Sequence, residues 1–302
     1  MSSFHSSEST LPSSGVGAKH LAVKADSGDF RGRFREIISD PINLLIERHP
    51  LAGFVYDDLV YLHNGNFVSA SGPNAYYQSF SDILIINRGV HEPLEEYVFQ
   101  EVLKTVGGSP LMVELGAYWG HYSMWLQSKR PRALTYLVEP DCANLAVGMH
   151  NFKINCKTGE FINEFVGHNN FIVDRFIQDR TLPKLDILHS DIQGYEMEML
   201  TGCASALVKR IIDYCFISTH SQELHLQVLN YLTSVGYRVE VSADLDHQTT
   251  SFDGFLFASN PSIPSVFRNF KPLGREQIYS SDPGQILSAI SCVIPASVHQ
   301  GE

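Results

Sequence analysis

At 302 residues the chain can hold one substantial domain with additions, and its 33 acidic against 22 basic residues leave a net charge of -11. That balance argues against a nucleic-acid partner, which needs clustered Lys and Arg. The five cysteines are odd in number and form no C-x-x-C pair, so neither a disulfide framework nor a zinc ribbon is signalled and a cytoplasmic location is expected. No apolar run approaches the roughly 18 residues of a membrane span, and no signal-peptide core is visible at the start, so no membrane partner is expected.

Residues 1–28 are rich in Ser and are expected to form a disordered tail. The basic cluster Arg31, Arg33 and Arg35, followed by Glu36 and Asp40, reads as a solvated helix end. Phe34, Ile37, Ile38, Leu44 and Leu45 suggest one or two helices broken near Asp40-Pro41. Asn64-Gly65, between the apolar runs of 58–68, predicts a hairpin, and Ile83 to Ile86 reads as a further strand. Glu92 to Val106 predicts a helix with Pro93 in its first turn, acids beside it and Gly107-Gly108 after its end. Together, residues 29–108 read as an N-terminal cap on the acceptor side.

From 109 to 260 short apolar runs alternate with helical segments, the pattern of an α/β domain with a mostly parallel sheet. Seven strands are expected: 111–115, 134–138, 161–166, 185–189, 214–218, 238–241 and 254–258. Helices should start near His121, Asp141, Glu196 and Gln222. The last two strands, with no helix between them, form an antiparallel hairpin at one edge. Residues 261–302 form a C-terminal extension with a possible helix from Gly284 to Ser291.

In open α/β sheets, ligands bind outside the carboxyl ends of the strands. After the first strand stand Glu114, Gly116 and Gly120, in a strand, tight turn and helix that suit a nucleotide-type pocket; two glycines merely capping a turn is the plainer alternative. Glu139, Pro140 and Asp141 follow the second strand, where an acid can accept hydrogen bonds from both hydroxyls of a ribose or simply open a helix. The fourth strand ends in His189, Ser190 and Asp191, followed by Gln193 and Glu196, and the fifth in Ser218-Thr219-His220, with His225 beyond.

Four segments, in order, resemble the FkbM-type family of class I S-adenosylmethionine-dependent methyltransferases. They are Val113-Glu114-Leu115-Gly116-Ala117-Tyr118-Trp119-Gly120, Val138-Glu139-Pro140-Asp141 with Asn144-Leu145, the run from Asp186 to Glu196, and Phe252-Asp253-Gly254-Phe255. The resemblance spans about 92–260. It implies a Rossmann-like, seven-stranded, mostly parallel sheet whose last strand is antiparallel, and S-adenosylmethionine as cofactor. It also implies methylation of a hydroxyl, often on a sugar or secondary metabolite. The cofactor set carried over is Glu114, Gly116, Ala117, Tyr118, Gly120, Ser123, Glu139, Pro140, Asp141 and Asn144. Gln193 stands where the family more often has Glu, and Ser-Thr-His ends the fifth strand where Glu is commoner. These departures bear on the catalytic groups rather than on the cofactor.

An acid at the mouth of the loop repels a pyrophosphate and suits the amino group and sulfonium of a cationic ligand, which separates this loop from a dinucleotide site. Alcohols are hard to deprotonate at neutral pH, so a base or a divalent cation is expected. His220 is the candidate base, with a structural histidine bonded to Thr219 or Ser221 as the alternative. Asp191 either orients His220 or joins it in ligating a metal. His189 reads as a satisfied core histidine and Glu196 as a helix-start acid. The reading is an O-methyltransferase acting on a small hydroxylated acceptor, possible as a homodimer. Its rivals are a metal-dependent hydrolase using His189, Asp191, His220 and His225, and a catalytically silent methyltransferase-like binding module.

Overall fold

A computed structural model describes residues 30–76, 81–167, 170–268 and 270–293; the expected N-terminal tail lies outside them. Its centre is a seven-stranded sheet of β4 (Leu111–Leu115), β5 (Leu134–Val138), β6 (Glu160–Ile162), β7 (Leu185–Ser190), β8 (Ile212–Thr219), β9 (Arg238–Ala243) and β10 (Gly254–Ser259). The strands lie in the order β6-β5-β4-β7-β8-β10-β9. β10 runs antiparallel to both neighbours, β8 and β9, and the pairs from β6 to β8 are parallel. The expected hairpin is therefore present, with its second strand inserted inside the edge. Between β6 and β7 the chain crosses to the other side of β4. That reversal opens a crevice at the carboxyl ends of β4 and β7.

The sequence is apolar at successive positions of β4 because both faces are covered, and all five of its residues are buried. Alternation then sorts side chains between the faces. Val113, Leu115, Leu188, Cys215 and Leu256 join one core with α6 (Val173–Asp179), α7 (Glu196–Gly202), α8 (Ala204–Val208) and α9 (Gln222–Ser234). Met112, Ile187, Phe216 and Phe257 join another with α3 (Pro93–Thr105) and α4 (His121–Lys129). By the same parity Glu114, His189 and Ser218 point toward α3. α6, which the sequence reading left out, is the crossover that parallel β6 and β7 require.

Ahead of the sheet stand α1 (Phe30–Ser39), a short 3-10 turn (Pro41–Leu44) and a three-stranded antiparallel sheet of β1 (Val55–Tyr56), β2 (Leu59–Tyr61) and β3 (Phe67–Ser69). Asn64-Gly65 turns the chain between β2 and β3, with Gly65 at φ +88°. Ile83 to Ile86 is not a strand: Asp82–Ile86 is the helix α2, burying Ile83 and Leu84 and leaving Ile86 outside. Ile83 and Leu84 share a core with Ala117, Trp119 and Leu137 beside the glycine turn. α5 (Cys142–Ile154) follows β5, and α10 (Arg275–Ser280) and α11 (Pro283–Val293) close the described chain. No helix among the described residues is long and apolar enough to cross a membrane.

Asp40 ties α1 to the loop before β10. It is buried, accepts from Ile42 N at 2.9 Å and takes the Thr250 hydroxyl on its other oxygen. Burial outweighs both bonds and pushes its carboxyl up to about 6. A raised folded-state value favours the protonated form, so its stabilising effect is complete below the ordinary aspartate range and is lost as pH rises through about 6. Asp40→Asn should be the more stable protein at pH 7.5, by about 1–3 kcal/mol, and match the parent near pH 4. Urea midpoints at the two pH values check this; a parent whose advantage grows with pH contradicts it.

Candidate active site

Glu114 and Glu139, at the ends of adjacent strands, line one cavity of about 800 Å³ at the carboxyl edge of the sheet. Gly116, Ala117, Tyr118, Pro140, Asn144, Asp191 and His220 share its wall. The turn after β4 is held from both sides: Gly116 N and Ala117 N donate to Val138 O at 2.9 and 3.1 Å, and Asp191 N donates to Leu115 O at 3.0 Å. Gly116 has φ +70°, and a Cβ on it would stand 1.7 Å from Asp191 O. The residue is therefore a glycine because two strand ends meet there, more than because a ligand approaches.

Glu139 Oε2 accepts from Tyr118 N at 3.1 Å and Oε1 from Asp141 N at 3.0 Å, which fixes the carboxylate between turn and helix. Glu114 Oε2 accepts from Ser123 N at 3.0 Å. Burial raises both carboxyls above the ordinary glutamate value against these bonds. Three residues of the expected cofactor set do not reach the cavity wall. Asp141 caps α5, accepting from Ala143 N and Asn144 N. Ser123 holds Glu114, and Gly120, at φ +72°, makes room for Phe152 and Leu137. Each serves the fold behind the wall.

Part of the cavity wall carries a cluster of charges. His220 Nδ1 lies 2.8 Å from Glu196 Oε1, while its Nε2 stands 3.0 Å from Asp191 Oδ1 and 3.4 Å from Asp253 Oδ1. Glu196, the first residue of α7, is fully buried and also accepts from Gly194 N at 3.1 Å, so this helix-start acid also holds the His220 ring. Burial would strip the His220 proton, but the nearby carboxylates of Asp191 and Glu196 and the charge of Asp253 outweigh it and lift the imidazolium to about 11. His220 is thus charged at neutral pH, which corrects its assignment as the base. Burial also raises Asp191, yet His220 more than offsets this and leaves it below the ordinary aspartate value. Asp253 is pushed well above that value by burial, then by Asp191, Glu92 and Glu95, against the pull of His220. The sequence reading quoted Asp253 only as part of a family motif; its place one residue before the buried β10 was the available signal.

Two further expectations are overturned. Arg33 is not a solvated helix end: it is 9% exposed, donates to Glu36 Oε2 at 2.8 Å and lines the cavity. His225 does not join the other histidines. Its Nδ1 lies 2.9 Å from Thr219 Oγ1 and its Nε2 3.0 Å from Ser242 Oγ, outside the cavity wall, so the four-residue hydrolase set is not assembled. Thr219 therefore serves His225, and Ser221 caps α9, so neither holds His220.

A buried ionisable layer continues the wall, and His91, Glu92, Tyr122 and His189 of that layer line the cavity themselves. His189 Nε2 is 2.6 Å from Glu95 Oε1, and Ser218 Oγ donates to Glu95 Oε2 at 3.0 Å. Tyr122 donates to Glu92 Oε2 at 3.0 Å. The acids beside Pro93 at the start of α3 are thus interior groups. Burial would neutralise His91, but Glu92 and Glu96 outweigh it and hold it charged, up to about 10. Glu96 is correspondingly held well below its ordinary range by His63 and His91 despite its burial. Burial, reinforced by neighbouring histidines, keeps His121 neutral.

A doubly wound sheet in this strand order, with one reversed strand beside the edge and an acid-and-glycine turn at the switch point, has the class I methyltransferase architecture. The chain belongs to the FkbM methyltransferase family: the family's methyltransferase FkbM domain matches residues 73–239. Among solved structures, the chain is similar to precorrin-6y C5,15-methyltransferase from Geobacter metallireducens (TM-score 0.41, 14% identity, 55% of this chain and 88% of that one). It is also similar to M. capricolum TrmK in complex with S-adenosyl-homocysteine (0.40, 11%, 65% and 82%) and to a SAM-dependent methyltransferase from Aquifex aeolicus (0.37, 17%, 55% and 90%). No curated protein matches it. The strand order, rather than these scores, defines the fold.

Proposed function

We propose that the protein is an O-methyltransferase that moves the methyl group of S-adenosylmethionine to a hydroxyl of a small molecule. The observation that carries this reading is the shared cavity, lined by Glu114 and Glu139 together with Asp191, His220 and Asp253. The donor fits the residues present. Glu139, with its backbone bonds already fixing its position, suits a pair of ribose hydroxyls, and Gly116, Ala117, Tyr118, Pro140 and Asn144 supply the surrounding wall. Glu114 gives that end the sign that a cationic ligand prefers. When bound, S-adenosylmethionine supplies an electrophilic methyl group on a sulfonium. Asp253 Oδ1 takes the proton of the acceptor hydroxyl: His220 already carries a proton, and of the two carboxylates Asp253 is the one raised rather than lowered. The His220 imidazolium, kept charged by Glu196 and Asp191, faces the oxygen as negative charge develops on it.

A second reading rests on one contact. His220 Nε2 approaches two carboxylate oxygens without hydrogen-bond geometry to either, and Asp191, His220 and Asp253 offer one ligand atom each within 4.8 Å of one another. A divalent cation there would acidify the hydroxyl, with Glu196 orienting the histidine ring. Acidic groups around the cavity and the net charge of -11 favour a small neutral or cationic acceptor over RNA. Cytoplasmic residence belongs to the same proposal. The test is methyl transfer from labelled donor to a panel of sugars, phenols and secondary alcohols, with RNA as control, in EDTA and in magnesium. Label on a small hydroxyl compound in EDTA supports the Asp253 reading, and label only with magnesium supports the cation. Label on RNA alone, or none, overturns the proposal.

A further inference from the structure

Glu96, in α3, is fully buried, and its two oxygens are treated differently. Oε1 accepts from His91 N at 2.8 Å and Glu92 N at 3.1 Å and lies 2.5 Å from His91 Nδ1. Oε2 has no hydrogen-bond partner, although His63 Nε2 stands only 2.7 Å away. That nitrogen is also without a partner, so the two atoms are close but do not aim at each other as donor and acceptor do. His121, the first residue of α4, completes the corner. It is 1% exposed, neither ring nitrogen has a partner, and Nε2 is 3.9 Å from Glu96 Oε1. Each such orphan buried polar group costs about 1–3 kcal/mol.

We infer that His63, Glu96 and His121 form a zinc site. One ligand atom from each lies within 4.8 Å of the others. Two imidazoles and a carboxylate are the donor set zinc accepts at about 2.0–2.2 Å, and ligands at that range around a tetrahedral ion sit roughly 3.3 Å apart, so small ring rotations close the site. One ion would take the free lone pairs of His63 Nε2, His121 Nε2 and Glu96 Oε2 together. The bonds on Oε1 hold the carboxylate as ligands' outer partners commonly do. The rings are walled by Trp125, 4.4 Å from His63 between centroids, and by Trp119, 4.8 Å from His121. The site joins three separate pieces of chain: the β2–β3 loop, α3, and the helix that starts directly after the glycine turn. Zinc there would clamp the N-terminal segment to the turn that forms the cavity wall, a role apart from the Asp191, His220 and Asp253 cluster.

The test uses the full chain, stripped with EDTA and titrated with zinc chloride by calorimetry. One equivalent should bind and raise the melting temperature. His63→Gln and His121→Gln should each weaken zinc binding by more than about tenfold, while Asp191→Asn should not. Zinc-edge X-ray absorption on the unmutated protein decides the matter even where a variant fails to fold. Two imidazoles and one carboxylate support the site. One imidazole with two carboxylates places the ion at His220 and overturns the inference, as does the absence of stoichiometric binding.

Discussion

Gly116→Ala should lower the stability of the protein by about 3–5 kcal/mol and abolish binding of S-adenosylhomocysteine with it. The φ of +70° costs a side chain about 1–2 kcal/mol, and the added Cβ, 1.7 Å from Asp191 O and 2.7 Å from its carbonyl carbon, meets backbone that cannot swing aside. Overpacking of that kind commonly costs about 1–3 kcal/mol or more. Relief requires β4 and β7 to part at their tips, where Leu115 O accepts from Asp191 N, and the cavity wall would part with them. Gly120→Ala is the informative comparison. Its Cβ would meet the ends of the Phe152 and Leu137 side chains at 2.7 and 3.0 Å, which can give way, so the loss should be smaller. Thermal melts and calorimetry on both variants check this. A Gly116→Ala protein as stable as Gly120→Ala contradicts the packing described for the turn.

Asp253→Asn should reduce kcat by about 10²- to 10⁴-fold while leaving the affinity for S-adenosylhomocysteine within about threefold, because this carboxylate is assigned to the acceptor hydroxyl and Glu139 to the ribose. The pH profile carries the sign. The active form is the Asp253 carboxylate, and its folded value is raised, so the rate should climb with pH through an ionisation well above the ordinary aspartate range. The rate should fall again as pH nears about 11, where His220 loses its proton. Asparagine at 253 removes the limb that belongs to the Asp253 carboxyl. His220→Gln keeps the limb and lowers the plateau. A variant at 253 with undiminished kcat would return Asp253 to a structural role.

The sheet was legible because its strands are buried on both faces and so read as plain apolar runs. Glu114 and Glu139 were legible as cavity-lining residues because an acid ending such a run has few structural reasons to be there. What escaped was whatever depended on partners distant in sequence. Glu95 and Glu96 resemble ordinary first-turn acids until the β2–β3 loop brings His63, and β7 brings His189, against them. Arg33 reads as a solvated helix end, and only the packing of α1 over the cavity buries it. Asp253 is set beside His220 by a loop that local pattern does not specify. Ile83 to Ile86 misled for a different reason: a β-branched run suggests a strand, yet one buried side of a single helical turn is all that Ile83 and Leu84 require.

The account depends most on Glu139 gripping the sugar of an adenosyl donor in the cavity it shares with Glu114. Titration of S-adenosylhomocysteine into the protein and into Glu139→Ala by calorimetry tests this directly. The unmutated protein should bind in the micromolar range, and the variant, still folded by circular dichroism, should bind at least about tenfold more weakly, the loss expected when charge-assisted hydrogen bonds are removed. Equal affinity in the two proteins, or no binding to either, would contradict it.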